Sequence, residues 1–315
     1  MINSKPKMII ITGPTATGKS NVALKLAEMI DGEIISADSM QVYKHMDIGT
    51  AKPSKSELNQ VKHHLVDVVE PDFPFSATVF KNIGTSAISD IYHSNKIPIL
   101  AGGTGFYINA LIYGCNAPEI EEKRELTYRN YLYNLADEKG NDYLFDILKS
   151  IDPEYAEKTH ANNVKRVARA LEYYHDTNEK FSVYNSHQKD KRELLYDIYS
   201  FILNYDRDKL YSRIDKRVDE MINAGLVDEV RGLKDMGYSK SLTSMQGLGY
   251  KEILAYLDNE CTLDEAVCTL KRDTRHFAKR QITWFTHQFE GEWLNVSDYL
   301  SAESIAEYIK EKVGV

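Results

Sequence analysis

The stretch Gly13-Pro14-Thr15-Ala16-Thr17-Gly18-Lys19-Ser20 matches the phosphate-loop pattern G-x-x-x-x-G-K-[ST] at every fixed position. An apolar, β-branched run at residues 7–12 precedes it and predicts a buried strand, and apolar residues at helical spacing over 21–30 predict a helix after it. Strand, loop and helix in this order form the context in which the pattern binds phosphate, which argues against a chance match in a glycine-containing loop.

The residue types in this loop suit the binding of an anion. Glycines let successive backbone N–H groups turn inward on a phosphate, and the helix that follows adds its positive end. Lys19 adds a mobile positive charge, and the Ser20 hydroxyl can be a ligand of Mg²⁺. Residues 13–20 therefore predict a binding site for a diphosphate or a triphosphate, without indicating which phosphate ester occupies it.

Length and composition are typical of a globular protein with one elaborated domain or two. The chain has 315 residues, of which 43% are hydrophobic, so it can bury a sizeable core. No apolar run approaches the roughly 20 residues that span a bilayer, and residues 1–7 lack the apolar segment of a signal peptide. We therefore expect a cytoplasmic protein without membrane contacts.

Cys115, Cys261 and Cys268 show neither C-x-x-C pairing nor zinc-ligand spacing, so we expect no disulfide framework and no structural metal.

Two further segments are expected to end near the phosphate loop. Residues 33–39 form a second predicted strand that ends in Asp38, and right-handed β-α-β winding places it beside the first strand. Another predicted strand, residues 96–101, runs into a glycine-rich turn that contains Thr104. This strand lacks the terminal acidic residue with which nucleotide hydrolases hold Mg²⁺. Thr104 is either part of a site or part of a tight strand-to-helix turn.

The adjacent histidines His63 and His64 begin a segment, residues 63–69, that could be a strand. Adjacent histidines suggest a metal site, but neighbours on a strand point to opposite faces and do not easily bind one ion. We favour a structural role for both residues, because metal sites need better ligand spacing.

The composition changes between about residue 116 and residue 192, where charge and tyrosine dominate and β-branched runs disappear. Residues 123–136 and 143–149 are predicted helices, and the strand pattern returns at residues 199–205. We therefore predict a helical insertion within a phosphate-loop core. The predicted segments are 1–115 for the first part of the core, 116–195 for the insertion and 196–315 for the second part of the core.

The predicted insertion carries a basic cluster on one helical face. Arg166 and Arg169 lie at i, i+3, with Lys165 beside them. This cluster either binds a nucleic-acid backbone or is a solvated face. The net charge of −8 argues weakly against non-specific binding of nucleic acid, although a local basic stripe can still contact phosphates.

The second part of the core contains two predicted helices with candidate cations. Residues 208–233 predict one charged helix, in which Arg213 and Arg217 either stabilise a leaving diphosphate or pair with Asp215 and Asp219. Residues 263–289 predict a long helix that either binds single-stranded nucleic acid or has a basic outer face and an aromatic core face. Its basic residues are Lys271, Arg272, Arg275, His276, Lys279 and Arg280, with Gln281, Trp284 and Phe285 following.

Taken in order, the motifs of this chain resemble those of the bacterial tRNA dimethylallyltransferases, isopentenyltransferases that modify the adenosine 3′ of certain anticodons. The motifs are GPTATGKS from Gly13, SADSMQVYKHMDIGTAKP from Ser36, GGTGFY from Gly102, NNVKRVARALE from Asn162, GLGYKE from Gly247 and KRQITWF from Lys279. The resemblance covers nearly the whole chain and is far more specific than a phosphate loop alone. The chain has no cysteine or histidine pairs for the C-terminal zinc finger of the eukaryotic relatives, so we expect a bacterial-type enzyme.

The resemblance implies an α/β fold with a P-loop kinase-like, doubly wound parallel sheet core and an all-helical insertion domain that binds the tRNA anticodon stem-loop. It implies transfer of the dimethylallyl group from dimethylallyl diphosphate to N6 of the adenosine, with release of pyrophosphate and with Mg²⁺ as cofactor. We expect a monomer. A small-molecule or nucleotide kinase, which would share the fold, is the first alternative, and a non-catalytic RNA-binding module is the second.

The resemblance also implies roles for individual residues. The loop amides, Lys19, Mg²⁺ held in part by Ser20, and Arg217 would stabilise the leaving pyrophosphate. Asp38 would be the general base, and Thr104 would position the diphosphate or the nucleotide. The implied tRNA contacts are Asp38, Ser39, Met40, Gln41, Thr104, Arg124, Lys165, Arg166, Val167, Ala168, Arg169, Gln246, Gly247, Leu248, Gly249, Tyr250, Lys251, Lys279 and Arg280. Many relatives have a basic residue where this chain has Gln246, which weakens that implied contact.

Overall fold

The computed structural model describes residues 5–114, 126–190 and 193–315, and the chain forms two compact units. The first unit, called the core below, consists of Met1–Ile112 and Leu194–Val315. The second unit, called the insertion, is Tyr113–Glu193. These bounds lie within three residues of those predicted for the helical insertion, 116–195.

The elements follow one another in a pattern of alternating strands and helices that the insertion interrupts. The first part of the core contains β1 (Lys7–Thr12), α1 (Lys19–Ile30), β2 (Glu33–Ser36), α2 (Lys55–Gln60), β3 (His63–His64), α3 (Ala77–His93), β4 (Pro98–Ala101) and α4 (Gly105–Ile112). The insertion contains α5 (Leu126–Lys139), α6 (Asn141–Ile151), α7 (Pro153–Glu157), α8 (Val164–Thr177) and α9 (Phe181–Asp190). The second part of the core contains β5 (Asp197–Asn204), α10 (Arg207–Asn223), α11 (Leu226–Asp235), a 3₁₀ helix (Ser244–Gln246), α12 (Tyr250–Leu257), α13 (Leu263–Gln288), β6 (Glu292–Asn295), a second 3₁₀ helix (Val296–Asp298) and α14 (Ala302–Val313).

The six strands form one parallel sheet in the order β3-β2-β4-β1-β5-β6. The chain adds strands on both sides of β1, which is the doubly wound arrangement, so the predicted fold class is confirmed. Because all strands run in the same direction, their carboxyl ends lie at one edge of the sheet, where α/β folds place their sites. The phosphate loop and Asp38 both follow strands at this edge.

Both faces of β1 are buried, which explains its continuous apolar sequence. Ile9 and Ile11 on one face belong to a hydrophobic cluster that also contains residues of α1 and α14, such as Leu26 and Ile305. Burying side chains of this size contributes about 1.5–3 kcal/mol each, so this cluster fixes α1 and the loop before it against the sheet.

In the second part of the core, one sequence-based prediction was wrong and one strand was missed. The helix predicted over residues 208–233 is two helices, α10 and α11, because Gly225 between them has a φ of +102°, a left-handed conformation that ends a helix. The edge strand β6 was not predicted. It has four residues, of which only Leu294 is buried, so its sequence lacks the apolar run of the inner strands.

The described residues of the insertion are helical and pack around their own hydrophobic cluster, which includes Leu132, Leu148 and Leu171. The buried Asp152 carboxylate accepts hydrogen bonds from the backbone N–H groups of Tyr155 at 3.1 Å and Ser182 at 2.8 Å. It thereby caps the start of α7 and ties α9 to it. Across the described part of the chain, no helix is both long and apolar enough to cross a membrane.

Candidate active site

The phosphate loop between β1 and α1 adopts a conformation that requires its two glycines. Gly13 has a φ of +132°, and a side chain there would place its Cβ 2.1 Å from the Leu203 carbonyl oxygen of β5. Gly18, directly before α1, has a φ of +89°. Any other residue at these two positions would be strained, and at the first it would also collide with a neighbouring strand.

Hydrogen bonds within the loop preserve this shape. The Thr17 hydroxyl donates to the Pro14 carbonyl oxygen at 2.9 Å, and Lys19 Nζ donates to the same oxygen at 2.7 Å. Lys19 therefore points back over the loop, as a lysine that binds a phosphate in the loop must. Ser20 follows in the first turn of α1 and lines the cavity described below.

Gln281 of α13 connects the phosphate loop to the glycine-rich turn after β4. Its Oε1 accepts from the Thr15 backbone N–H at 2.9 Å, and its Nε2 donates to the Gly103 carbonyl oxygen at 2.9 Å. A Cβ at Gly103 would lie 2.3 Å from Gln281 Nε2, so this bridge requires the glycine. Sequence analysis assigned no role to Gln281, and its place in the KRQITWF motif was the only signal for one.

Asp38 and Thr104 lie at the carboxyl ends of β2 and β4, which are neighbours in the sheet. The Thr104 Oγ1 accepts from the Ser39 N–H at 3.2 Å, and its own N–H donates to the Ala37 carbonyl oxygen at 3.1 Å. Asp38 Oδ1 accepts from the Met40 N–H at 2.8 Å. Thr104 therefore belongs both to a tight turn and to the site, which unites the two interpretations of its motif.

A cavity of about 380 Å³ opens at this edge of the sheet, within the core. It brings together most of the residues that the sequence singled out in the core. Among its lining residues are Thr15, Lys19, Ser20, Asp38, Ser39, Met40, Gln41, Thr104, Arg217, Gln246, Gly247, Leu248, Tyr250, Lys251 and Arg280. Gly249 and Lys279 do not line this cavity.

Two cations, Lys19 and Arg217, lie close together in the cavity. Burial of the Lys19 ammonium and the proximity of Arg217 lower the pKa of Lys19 from 10.5 to about 7, and the Asp38 carboxylate opposes this shift. Burial likewise lowers the pKa of the Arg217 guanidinium, again opposed by Asp38. Two adjacent, desolvated cations repel each other, and a bound anion would offset this unfavourable electrostatic energy.

Arg217 makes no hydrogen bond or ion pair with any residue that the structure describes. The carboxylates with which the sequence could have paired it have other partners. Asp215 binds Arg275 of α13 at 2.5 Å, and Asp219 binds Lys271 at 2.6 Å. The alternative in which Arg217 belongs to a surface salt-bridge network is therefore wrong, and its charge faces the cavity.

Part of the cavity wall that α10 and α13 form is apolar. Ile214, Val218 and Met221 of α10 line it, together with Leu270 and Phe277 of α13. The α10 residues are spaced at helical intervals on the same face as Arg217. The cavity therefore offers cations at the phosphate loop and a hydrocarbon surface nearby, as a ligand with a charged head and an apolar tail requires.

Comparison with known proteins agrees with this chemistry. The family described as IPP transferase matches residues 41–288, and the family described as isopentenyl transferase matches residues 6–70. The chain belongs to the IPP transferase family. It is 52% identical to a tRNA dimethylallyltransferase of Lachnoclostridium phytofermentans over 95% of this chain and 94% of that protein. It is 47% identical to one of Alkaliphilus oremlandii over 97% and 96%.

Solved structures of the IPP transferase family have the same fold. The tRNA isopentenylpyrophosphate transferase of Staphylococcus epidermidis has a TM-score of 0.72 and 38% identity, over 98% of this chain and 99% of that one. A eukaryotic dimethylallyltransferase acting on tRNA has a TM-score of 0.78 and 30% identity, over 92% of this chain and 74% of that one. The chain is therefore a prenyl transferase of the tRNA-processing type, as its motifs predicted.

Two of the implied tRNA contacts in this IPP transferase have side chains engaged inside the protein. Gln41 Oε1 accepts from the Ser36 hydroxyl at 2.8 Å, and its Nε2 donates to the carbonyl oxygens of Thr50 and Ala51 at 3.3 and 3.2 Å. Tyr250 has no exposed surface. Both residues line the cavity with side chains that are bonded or buried within the protein, and the tRNA contacts implied for them stay a prediction.

The long helix α13 has a basic outer face and an aromatic inner face. Phe285 is fully buried, and the Trp284 ring lies 2.0 Å from where a Gly105 Cβ would be. Phe285 therefore cannot stack on RNA bases, and Trp284 is half-buried against Gly105, which favours the interpretation with an aromatic core face. Lys279 and Arg280 are exposed, and Arg280 also lines the cavity.

The implied tRNA contacts in the insertion of this IPP transferase differ in exposure. Lys165 and Arg166 are exposed, whereas Val167 and Ala168 have no exposed surface and belong to the hydrophobic cluster of the insertion. The side chains of the latter two cannot contact RNA, because helical periodicity turns them into the unit. Arg169 forms an ion pair with Glu172 at 3.2 Å. Arg124, like Cys115, lies outside the described residues.

The adjacent histidines have structural partners. His64 Nε2 lies 2.7 Å from the Glu33 carboxylate, and His63 Nδ1 lies 2.8 Å from the Val61 carbonyl oxygen. In the described residues, no group of three or more histidine, cysteine or acidic residues could hold a metal ion. Cys261 and Cys268 are free thiols.

Proposed function

We propose that this member of the IPP transferase family transfers the dimethylallyl group of dimethylallyl diphosphate to N6 of the adenosine 3′ of a tRNA anticodon and releases pyrophosphate. The observation that supports this most is the pair Lys19 and Arg217. These two desolvated cations form no ion pair with a described residue, and they lie beside an apolar surface and beside Asp38. A diphosphate fits the two cations, and a short hydrocarbon fits the apolar surface. A group that releases a proton fits Asp38.

The leaving group requires the most stabilisation. As the bond between C1 of the dimethylallyl group and the diphosphate oxygen breaks, negative charge grows on the diphosphate. Lys19, Arg217 and the backbone N–H groups of the phosphate loop are fixed before the reaction, so they stabilise this charge without reorganising. The loop geometry supports this role, because its hydrogen bonds already hold Lys19 over the anion site.

The residues at the loop fit Mg²⁺. Ser20 presents one hydroxyl to the cavity, and Asp38 is the acidic residue among the described residues that line it. Mg²⁺ is commonly held by one or two protein oxygens together with phosphate oxygens and water, so this sparse donor set suits it. When bound, the ion would neutralise charge on the diphosphate oxygens.

Asp38 would accept the proton that the adenine amine loses. N6 forms a bond to C1, becomes positively charged as it does so, and then releases a proton to a base within reach. Met40 N–H occupies Asp38 Oδ1, and Oδ2 has no hydrogen bond to any described residue. This arrangement holds the carboxylate in one orientation and leaves an oxygen for the amine.

The apolar wall would hold the dimethylallyl group and exclude water from it. The allylic carbon carries positive charge in the transition state and would react with water if water were present. Ile214, Val218 and Leu270 supply a surface without nucleophiles. The enzyme therefore protects its reactive group with hydrocarbon and confines polar groups to the diphosphate and the amine.

We further propose that the RNA is recognised through its anticodon stem-loop and that one chain carries a complete site. Exposed Lys165 and Arg166 in the insertion and exposed Arg280 in the core support this, because exposed cations supply most contacts to phosphates. Lys19, Asp38, Thr104 and Arg217 line one and the same cavity, so a monomer contains every residue assigned to catalysis.

The decisive experiment is incubation of the protein with unmodified tRNA and dimethylallyl diphosphate, followed by mass analysis of the nucleosides. One adenosine should gain a dimethylallyl group. Asp38→Asn should lower turnover by on the order of 10²-fold or more while tRNA affinity stays within about twofold, because it removes the base but keeps the Met40 contact. Asp208→Asn on the exposed start of α10 is the charge-matched control. Transfer of phosphate from ATP in place of prenyl transfer would overturn the proposal, and normal turnover of Asp38→Asn would overturn the role of Asp38.

A further inference from the structure

Glu229, in the first turn of α11, accepts four hydrogen bonds. Its Oε2 accepts from the backbone N–H groups of Asp47 at 2.9 Å and Ile48 at 2.7 Å. Its Oε1 accepts from the Gly49 N–H at 3.1 Å and from the Tyr250 hydroxyl at 2.7 Å. Four donors satisfy the acceptor capacity of a carboxylate, so this side chain has one geometry.

The three backbone donors are consecutive in a loop that neither the sheet nor a helix holds. Successive N–H groups that point to one place form a concave anion site, which bound phosphates usually occupy. Here a carboxylate of the same chain fills it. Without Glu229, the N–H groups of Asp47 and Ile48 would have no partner among the described residues, and the loop would lose its contact with α11.

Tyr250 reinforces the same contact from α12. Its ring is fully buried, and a Cβ at Gly49 would lie 2.6 Å from ring atoms of Tyr250. Burial and the Glu229 carboxylate raise the pKa of Tyr250 well above its usual range, so its hydroxyl remains a donor. The backbone of the loop therefore lies directly on the start of α12.

Hydrogen bonds and short stretches of backbone connect this contact with the site of the base. Thr50 and Ala51 follow the three N–H groups, and their carbonyl oxygens accept from Gln41 Nε2. Gln41 Oε1 in turn accepts from the Ser36 hydroxyl at the end of β2. Between Ser36 and Gln41 in sequence lie Asp38 and Met40, which line the cavity. Glu229 itself does not line it.

We propose that Glu229 is a positioning residue that fixes loop 47–51, and through Gln41 the segment 38–40, in the shape that receives the adenine. This inference rests on the proposed function. Glu229 lies outside the cavity, and it would act on the reaction with tRNA without acting on the diphosphate, whose proposed ligands lie in the phosphate loop, on α1 and on α10.

A role limited to helix stability is the alternative. An acidic residue in the first turn of a helix stabilises it through the helix dipole, and Asp228 occupies the same turn. Asp228 is exposed and forms an ion pair with Arg231 but makes no bond to loop 47–49. Asp228→Asn is therefore a matched control that removes an equal charge from the same helical turn.

The test compares Glu229→Gln with wild type and with Asp228→Asn in steady-state prenyl transfer, and measures the affinity for inorganic pyrophosphate by titration. Glutamine keeps the size of the side chain but offers one acceptor oxygen to four donors. We expect kcat/KM for tRNA to fall by on the order of 10-fold to 10²-fold, in line with the effect of small misplacements of reacting groups. Pyrophosphate affinity should stay within about twofold, and the control should match wild type.

Tyr250→Phe provides a second, milder variant, because it removes one donor and leaves the carboxylate and the loop amides in place. Its loss in kcat/KM for tRNA should be smaller than that of Glu229→Gln, and the double variant should lose less than the product of the two single losses. Hydrogen exchange should accelerate at residues 47–51 in Glu229→Gln and stay unchanged in the control.

The outcomes separate the two proposals. If the wild type prenylates tRNA and Glu229→Gln has the same kinetics, the positioning role is overturned and the proposed function stands. An equal loss of pyrophosphate affinity and of kcat/KM for tRNA would also overturn the positioning role, since that result indicates a general structural defect. A wild-type protein that prenylates no adenosine in tRNA would overturn the proposed function and this inference with it.

Discussion

The cavity of the core and the insertion place half-buried cations in opposite surroundings. In the core, Lys19 and Arg217 line a cavity, and neither forms an ion pair with a described residue. In the insertion, Arg129 and Arg169 share the buried Glu172 carboxylate, at 2.6 and 3.2 Å. The residue types are similar, but these two arginines of the insertion are paired with a carboxylate, while Lys19 and Arg217 of the core are left for a ligand.

The difference shows that pairing, more than charge, marks the site. A desolvated cation without a partner costs free energy, which a bound anion can offset. A cation that already shares a carboxylate contributes to the structure of its own unit and has less attraction left for a ligand. Sequence analysis singled out Arg169 and Arg217 alike, and their partners distinguish them.

Of the changes that test this comparison, removal of the Arg217 charge should have the largest effect, and it should act on the rate of prenyl transfer. Arg217→Gln leaves the departing pyrophosphate with one fixed cation fewer, so we expect a loss on the order of 10²–10³-fold in prenyl transfer, the range for one stabilising donor. Single-turnover transfer to tRNA measures it. Arg231→Gln, which removes an exposed, ion-paired arginine from α11, should retain wild-type turnover. Equal losses in both variants would contradict the distinction between paired and unpaired cations.

Loss of the shared carboxylate in the insertion should affect stability instead of catalysis. Glu172→Gln leaves two arginines facing an amide. Because both arginines are about one-third exposed, at 35% and 32%, we expect the free energy of unfolding to fall by about 1–3 kcal/mol, less than for a fully buried pair. Urea unfolding followed by circular dichroism reports the helices, while the fluorescence of Trp284 and Trp293 reports the core.

The matched control for this variant is Glu154→Gln, which breaks an exposed ion pair with Lys158 in the same unit. It should change the free energy of unfolding by less than about 0.5 kcal/mol. Pyrophosphate affinity should be unchanged in both variants. A marked loss of pyrophosphate affinity in Glu172→Gln would show that this cluster takes part in the site.

A change of pH should alter the affinity for diphosphate by less than the Arg217 substitution alters the rate of prenyl transfer. Since the pKa of Lys19 is about 7 in the free protein, the ammonium is mostly deprotonated at pH 9. A bound diphosphate favours the charged form, so binding above pH 7 takes up a proton, and affinity should fall by up to about tenfold per pH unit. The same shift should make the unliganded protein more stable as the pH rises from 7 towards 10.5, because the unfolded chain then binds more protons.

Calorimetry with pyrophosphate between pH 7 and 9, in two buffers of different ionisation enthalpy, measures this proton uptake. Lys19→Arg keeps its charge throughout this range, so its affinity should be nearly independent of pH in comparison. If the wild type shows no more proton uptake than Lys19→Arg, the pKa of Lys19 is not lowered by its surroundings.

Local sequence patterns were sufficient to predict the centre of the fold. The strand predicted at residues 7–12 is β1 itself, and the helix after the phosphate loop is α1, because strand, loop and helix are contiguous and their hydrophobic periodicity is strong. Asp38 was placed near the loop by the handedness of β-α-β units, a rule that needs no alignment. The prediction that it is the catalytic base awaits the experiment above.

Contacts between distant residues escaped sequence reasoning. Gln281 reaches Thr15 across 266 positions of sequence, and Glu229 reaches residues 47–49 across about 180. Glu229 carries no periodic or motif signal that distinguishes it from an ordinary polar residue on a helix, and the motif that contains Gln281 does not indicate its partners. Their importance lies in unpaired backbone groups of loops far away in the chain, which the sequence does not reveal.

The sequence by itself determined the phosphate loop, the parallel α/β core with its helical insertion and the family, since these depend on short patterns and on their order. Only the tertiary structure decided which of the charged residues have ion-pair partners among the described residues. Arg217 faces a cavity while Asp215 and Asp219 bind α13, and Arg169 is held by Glu172. The physical reason is that an ion pair depends on distance and burial in space, and residues at equal spacing in sequence can have opposite surroundings.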